Sequence, residues 1–402
     1  MRNFLINNSL IGEQQHGYMP KRSVATNLLQ CDENIARNLN ANEPCDLILL
    51  DFTRAFDKVS HDILKVKLNA LGITGNLYQW LADFLKNRTQ FVVCNGVESV
   101  PVQVTSGVVQ GSVAGPLLFA IMVNDVAQQA TSLDIVLYAN DVKGVGRACS
   151  KQDCKRIQDD LDAIYNWSLV NRLPLSLPKC MCLHLGHNNM RHVYSLGGAP
   201  LMAVDQCTDL GLIRTSDFMY NSHIYSIINK ASRTSGMLFR AFSTRSKAFI
   251  LKLYVAYVRP ILECISVAWN PIGIGLESDL EKVQQTFTKR LCGSNSMDYE
   301  SRLKHLKLEK LSSRRRRVDL EMVYKALHGV IAISANSIGV HLQKKISTRS
   351  NGIDLVMHRP RTNYIAKGFK YRVCEPWKKL PVAVKASNSL NVFKACLKTV
   401  IL

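Results

Sequence analysis

Three short segments of this 402-residue chain hold residue types whose order and spacing suit metal-dependent phosphoryl transfer. Leu47-Ile48-Leu49-Leu50 is a compact apolar run with the length of a buried strand, and Asp51 opens the segment Asp51-Phe52-Thr53-Arg54-Ala55-Phe56-Asp57 that follows. Ser106-Gly107-Val108-Val109-Gln110-Gly111-Ser112 is a glycine-bounded turn entering a helix, with Gly115-Pro116 behind it. A second apolar strand over 135–138 runs into Tyr138-Ala139-Asn140-Asp141. Two acid-tipped strands can bring carboxylates together, as two Mg²⁺ ions about 3.5–4 Å apart require. Taken singly, an aspartate at a strand end is more often a turn residue or a helix cap. The three segments in this order carry far more information than any one of them.

The elements that must position these tips are legible in the hydrophobic pattern. Residues 24–41 read as a helix on Leu28, Leu29, Ile35, Ala36 and Leu39. Residues 61–71, stopped by Gly72, and 77–85 read as two more. Residues 91–104 are rich in β-formers around an Asn95-Gly96 hairpin turn. Helices follow at 116–127, with proline in the first turn, and at 150–166. The sum is an α+β fold, short strands with acidic ends and helices over one face. From about residue 215 the pattern turns helical and basic, with helices over 222–242, 247–258 and 278–291. A further helix-like stretch, 318–328, follows Arg314-Arg315-Arg316-Arg317. Residues 332–365 read as a linker, and 369–402 regain apolar character around Trp377 and Phe393.

Charge divides the chain. Its 51 Lys+Arg against 31 Asp+Glu give a formal +20, and residues 1–200 hold 18 basic and 17 acidic groups, so +19 belongs to the second half. Such an excess favours a polyanionic partner, most simply nucleic acid. Four consecutive arginines point several ways around a helix, so some should meet that partner rather than form a solvated face. A chain 47% apolar and 20% charged can bury a core, which excludes wholesale disorder, and its length suits two or three domains. It has no apolar run of about 18 residues to span a membrane, and the first apolar stretch is too short for a secretory signal.

Twelve cysteines between Cys31 and Cys396 follow no framework spacing and read as free thiols of a reducing compartment. Cys180, Cys182 and His184 would share one face of a strand and could ligate zinc. Their spacing fits no usual zinc motif, and packing is the plainer reading.

Together these segments resemble the reverse transcriptases of non-LTR retrotransposons, nearest the jockey and CR1-like LINE elements. Gln15-His16-Gly17-Tyr18 through Ser23 resembles a fingers segment of that family. The Asp51 segment with His61-Asp62-Ile63-Leu64 resembles polymerase motif A, and residues 106–125 resemble motif B. The Tyr138 box resembles motif C, and 175–180 with Lys179 resembles motif D. Leu210-Gly211, 254–260, Trp269-Asn270-Pro271 and 280–290 match the thumb side. The arginine run with Tyr324, Arg359-Pro360-Arg361-Thr362 and 377–381 match the C-terminal region, so the resemblance covers almost the whole chain.

The resemblance implies a right-hand polymerase fold: partial fingers and palm in 1–200, a thumb-like helical region in 201–300, and a mostly helical basic C-terminal region in 301–402. It implies RNA-templated DNA synthesis from a DNA primer by two-Mg²⁺ nucleotidyl transfer, in the nucleus and away from membranes. Asp51 would bind both metals with the carbonyl of Phe52, beside Asn140 and Asp141 of motif C. Phe56 would stand under the sugar and exclude a 2′-hydroxyl, while Gln110 and Gly111 shape the nucleotide pocket. Lys179 would donate a proton to the leaving pyrophosphate. Lys21 and Arg22 would meet phosphate from the fingers, and Arg314, Arg315, Arg316 and Arg317 would grip nucleic acid.

One departure stands in the centre of this pattern. Motif C normally reads Y/F-A-D-D, and its first aspartate is the second essential metal ligand. Here that position is Asn140, a neutral amide with one oxygen. The expected outcome is a severely impaired polymerase, and its rival is a catalytically inactive remnant that only binds nucleic acid. Milder departures are Val109 for a proline, with Ala114, Met19 and Ser176 also off the pattern. The resemblance also implies a start inside the fingers, without the upstream finger segments or an endonuclease, and so leads one to expect a decayed, 5′-truncated copy.

Overall fold

The computed structural model describes residues 1–242, 246–271, 273–293, 297–343, 353–357 and 359–400. The chain forms two compact units, Met1–Asn27 with Asn42–Val204, and Leu28–Ala41 with Asp205–Leu402.

In the first unit, β1 (Cys45–Leu50) is buried along nearly its whole length because Leu47, Ile48 and Leu50 leave water on both faces. Residues 89–103 form an exposed ribbon of β2 (Thr89–Gln90), β3 (Val93–Cys94), β4 (Val97–Glu98) and β5 (Val102–Gln103). Asn95 and Gly96 take φ of 52° and 80° at its tip, as the predicted two-residue turn demands. Further on come β6 (Asp134–Tyr138), β7 (Asp141–Arg147), β8 (Met181–Leu185), β9 (Ser195–Leu196), β10 (Ala199–Pro200) and β11 (Met202–Val204). A five-stranded sheet has the order β11-β8-β1-β7-β6, with β11 and β8 parallel and the other neighbours antiparallel. The register sets Leu50 against Val142, so the end of β1 lies beside the β6–β7 turn.

Helices α1 (Arg2–Asn7), α3 (His61–Ala70), α4 (Gly75–Leu85), α5 (Gly115–Met122) and α6 (Lys151–Val170) complete this unit, while α2 (Val24–Asn40) is counted with the second unit from Leu28 onward. One apolar core joins Leu64, Leu81, Phe119 and Ile157 of these helices to Ile48 and Leu50 of β1. Each such leucine or isoleucine stabilises the unit by about 1.5–3 kcal/mol. Ser150 caps α6, its hydroxyl accepting from Asp153 N at 3.1 Å. Asp160 of α6 accepts from the backbone amides of Thr131, Ser132 and Leu133 at 2.7–3.0 Å and so anchors the loop entering β6.

β7 has no counterpart in the hydrophobic pattern, because Gly144 and Gly146 interrupt it. Both glycines are packing residues: a Cβ on Gly146 would lie 2.8 Å from Ile157, and one on Gly144 3.1 Å from Leu133. Their missing side chains let α6 and the Leu133 loop close on the sheet.

The second unit is mostly helical. The hairpin β12 (Gln206–Asp209) and β13 (Leu212–Thr215) leads to α7 (Asn221–Ala241), α8 (Lys247–Leu253) and a π turn over 254–258. Next come α9 (Arg259–Glu263), α10 (Ile274–Cys292), α11 (Tyr299–Leu306) and α12 (Leu311–Leu327). Short helices α13 (Asn363–Ala366), α14 (Phe369–Arg372), α15 (Cys374–Lys379) and α16 (Val382–Lys385) precede α17 (Leu390–Thr399). Arg214 is 3% exposed and bridges two carboxylates, Asp209 at 2.7 Å and Asp32. Arg372 forks onto Asp319 at 2.8 and 2.9 Å and also donates to the carbonyls of Ser266 and Val267. Of the stretch read as a linker, 344–352 and 358 lie outside the described residues, while Leu342 bridges Leu355.

Candidate active site

Asp51 leaves β1 immediately after Leu50, and its neighbours across the sheet are the first residues of β7. Asn140 Nδ2 donates to Asp51 Oδ1 at 3.0 Å, and Lys179 Nζ lies 2.9 Å from Asp51 Oδ2. The amide orientation is fixed chemically, because a carboxylate only accepts and a reversed amide would set two acceptors together. Hydrogen bonding to Asp51 raises the Lys179 ammonium above its usual value, with Asp141 adding to the effect. Motif D is tied to the same place by Ser176 N, which donates to Asp51 O at 2.7 Å, and Thr53 N donates to Pro174 O at 2.9 Å. The structure thus brings Asp51, Asn140, Asp141 and Lys179 together from segments far apart in sequence.

A bridged pair of divalent ions needs anionic oxygens shared between them. Both Asp51 oxygens instead face donors, one amide and one ammonium, and the central motif C position offers no charge. This donor set does not fit a bridged pair of divalent ions as it stands.

The residues that follow Asp51 in motif A pack against motif B and its neighbours. Phe56 lies flat on Phe119, with ring centroids 4.5 Å apart at 21°, and meets the edge of Tyr18. Phe52 is buried, its ring 6.0 Å from that of Trp167. Gln110 Nε2 donates to Asp57 Oδ1 at 2.6 Å, joining motif B to motif A, while Gly111 is exposed at φ 79°. Gly107 carries φ 87°, and a Cβ there would sit 2.8 Å from Asp57 Cα and O. Its carbonyl accepts from Arg88 Nη2 at 2.7 Å and from His61 Nε2 at 2.9 Å. Arg88, Asp57 and the His61 ring therefore hold the Gly107 turn, although no spacing in the sequence marks Arg88. Arg54, Asp57, Arg88, Gln90, Gln103 and Gln110 line an open cleft.

The basic residues separate by burial. Lys21 is exposed, but Arg22 Nη1 donates to the carbonyls of Glu13 and Gln15, each at 2.6 Å, and burial pushes its guanidinium down. In the second unit the arginine run lies inside α12, which begins at Leu311 rather than near 318. Arg314 pairs with Glu263, Arg317 lies 2.7 Å from Glu309, and Arg315, 3% exposed, reaches Glu277 at 3.3 Å over the face of Trp269. Arg316 is exposed.

All twelve cysteines are thiols outside any disulfide. The predicted trio is rearranged: Cys180 turns to Asp51 O at 3.9 Å, while Cys182 and His184 meet Asp46 of β1. Asp46 is fully buried and accepts from Tyr194 Oη at 2.6 Å and Asn189 Nδ2 at 2.8 Å, with His184 Nδ1 at 2.7 Å. Both of its oxygens thereby accept from protein donors, as a buried polar side chain requires. Asp46 was invisible in the pattern because it sits inside an apolar strand.

A sheet that sets an acid-tipped strand beside a second polar turn, with a glycine-bounded loop bonded to the segment that follows the first tip, defines a polymerase-type palm. A family model described as reverse transcriptase (RNA-dependent DNA polymerase) matches residues 1–213, more than half of the sequence, and the chain belongs to that family. The RNA-directed DNA polymerase from mobile element jockey of Drosophila funebris is 25% identical over 329 residues, 78% of this chain and 35% of that protein. The probable RNA-directed DNA polymerase from transposon X-element of Drosophila melanogaster is 24% identical over 68% of this chain and 30% of its own length. The chain therefore spans about a third of these relatives, which agree with the non-LTR resemblance read from the motifs. Telomerase from Candida tropicalis, solved with a TWJ fragment of telomeric RNA, aligns with 100% of this chain and 56% of that one, at 12% identity and a TM-score of 0.45. The α+β class and the mostly helical second half stand as expected. Among the described residues no helix is long and apolar enough to cross a membrane.

Proposed function

We propose that the chain is the polymerase portion of a non-LTR retrotransposon reverse transcriptase, organised to copy an RNA template from a DNA primer, with nucleotidyl transfer severely reduced by Asn140. Family membership supports the reaction. The observation that carries the impairment is the Asn140–Asp51 hydrogen bond, a neutral donor where the family has a charged ligand. Mg²⁺ is the ion implied by the resemblance, and Asp51 with Asp141 would be the acids left to attract it.

In this reading Phe56, held flat against Phe119, is the floor beneath the sugar, and Gln110 and Gly111 border the nucleotide. Lys179 is the proton donor near the leaving group. Of the basic groups, exposed Lys21 and Arg316 are assigned to phosphate, whereas Arg22, Arg314 and Arg317 spend donors on the protein itself and Arg315 is buried. Residues 201–300 act as the thumb and 301–402 as a basic extension, and the working place of such an enzyme is the nucleus.

Primer extension on an RNA template with Mg²⁺, and again with Mn²⁺, tests this. The unmodified chain should yield traces of product, and Asn140→Asp should raise the rate on the order of 10³-fold. Robust extension by the unmodified chain overturns the impairment. No extension by either, with salt-dependent binding retained, leaves the binding-only reading.

A further inference from the structure

The turn that carries residues 140 and 141 is shaped by a segment more than a hundred positions upstream. Tyr138 pairs with Asp141, leaving Ala139 and Asn140 as a two-residue hairpin turn. Ala139 adopts φ 55°, a left-handed conformation that a residue with a Cβ rarely takes. Its backbone N–H falls outside the ladder and, being buried, must find another acceptor. That acceptor is Gln15 Oε1 at 3.0 Å, and the same oxygen accepts from Gly17 N at 2.8 Å.

We propose that Gln15 is a positioning residue for the β6–β7 turn, its side-chain carbonyl holding Ala139 so that residues 140 and 141 stay opposite Asp51. The proposal rests on reading this turn as the polymerase motif C. Gln15 is 1% exposed, and its Nε2 has no hydrogen-bond partner among the described residues. A buried donor left without a partner is costly, so packing alone would favour an apolar side chain of the same shape. What glutamine adds is the carbonyl. The reversed amide would oppose N–H to N–H twice, which fixes the orientation.

The brace is itself anchored. Leu137 N donates to Gln14 O and His16 N to Leu137 O, each at 2.8 Å, so this segment runs beside β6 as a further strand would. A Cβ on Gly17 would stand 2.3 Å from Ala139 N, so only glycine permits this approach. Arg22 holds the loop through the carbonyls of Glu13 and Gln15. Asn27 Nδ2 donates to Leu137 O at 3.0 Å and is in turn held by Lys143 Nζ at 2.6 Å.

Hydrogen exchange followed by mass spectrometry on the full chain reads the contact without any activity. In the unmodified chain the Ala139 amide should exchange slowly for a hairpin tip, and exchange at the unprotected rate overturns the proposal before any variant is made. Gln15→Met, which keeps the shape and removes the oxygen, should speed exchange across 137–141 about tenfold while α6 and β8 stay unchanged. Gln15→Glu, which keeps the oxygen, should stay within about twofold of the unmodified chain. Equal exchange in Gln15→Met, or acceleration spread evenly over the unit, overturns the proposal. In an Asn140→Asp background, Gln15→Met should lower kcat about tenfold with the nucleotide KM unchanged. Failure of Asn140→Asp to extend a primer counts against the polymerase reading alone, because the exchange result is independent of turnover.

Discussion

Asn140 donates its side-chain amide to the carboxylate of Asp51 at 3.0 Å, across 89 positions of sequence. The contact neutralises by hydrogen bonding what a second carboxylate would leave repulsive. Asn140→Asp should therefore lower stability by about 1 kcal/mol in EDTA, because two adjacent carboxylates repel. Millimolar Mn²⁺ should more than restore it, since an ion that binds only the folded state stabilises by mass action. Thermal melts of both proteins with and without Mn²⁺ check this; an unmodified chain that gains as much from Mn²⁺ as the variant would contradict it.

Gly107 occupies a position closed to other residues by both φ and space. Gly107→Ala should cost roughly 2–3 kcal/mol, because the neighbour is the backbone of Asp57 and cannot swing away. Urea unfolding gives the magnitude. A change under about 0.5 kcal/mol would mean that the loop relaxes freely.

Arg214 is enclosed with Asp209 and Asp32 in the second unit. Arg214→Met leaves two buried carboxylates without their cation and should cost about 3–5 kcal/mol. Arg214→Lys should recover only part of this, since an ammonium cannot reproduce the two-sided guanidinium fork. Denaturation midpoints of the three proteins decide the order.

His223 is buried beside Trp269, and burial pushes its imidazole down to about 4. Nδ1 accepts from Ile213 N at 3.4 Å, while Nε2 has no partner among the described residues. The unfolded chain takes up this proton near pH 6.5 and the folded chain only near 4. Between those values the unfolded state holds more protons, so acid favours unfolding. Stability should fall by up to about 3 kcal/mol from pH 6.5 to 4 through this group. His223→Gln should flatten that part of the profile, and an unchanged slope would exclude His223 as its source.

Arg315 and Arg316 are neighbours in sequence with opposite surroundings. Arg316→Ala should weaken binding to an RNA–DNA duplex and reduce the slope of log K against log salt by about 1. Arg315→Ala should leave that slope alone and lower stability by about 2 kcal/mol. Salt titrations of both variants separate the two roles.

Local pattern determined much of this protein. The periodicity of Leu28, Leu29, Ile35 and Leu39 marks α2, the apolar run before Asp51 marks β1, and Asn95-Gly96 marks a hairpin tip, because each depends on residues within one or two turns of chain. The departure at Asn140 is also a property of sequence alone. Tertiary structure decided what distance in sequence conceals. β7 forms through two glycines because α6 needs the space, and Gln15 finds Ala139 because two distant segments lie side by side. Asp46 is tolerable only once Tyr194 and His184 surround it, and three of the four arginines are claimed by glutamates brought in by folding. Charge and hydrophobic period are written residue by residue, but a hydrogen bond needs its partner, and the partner is supplied by the fold.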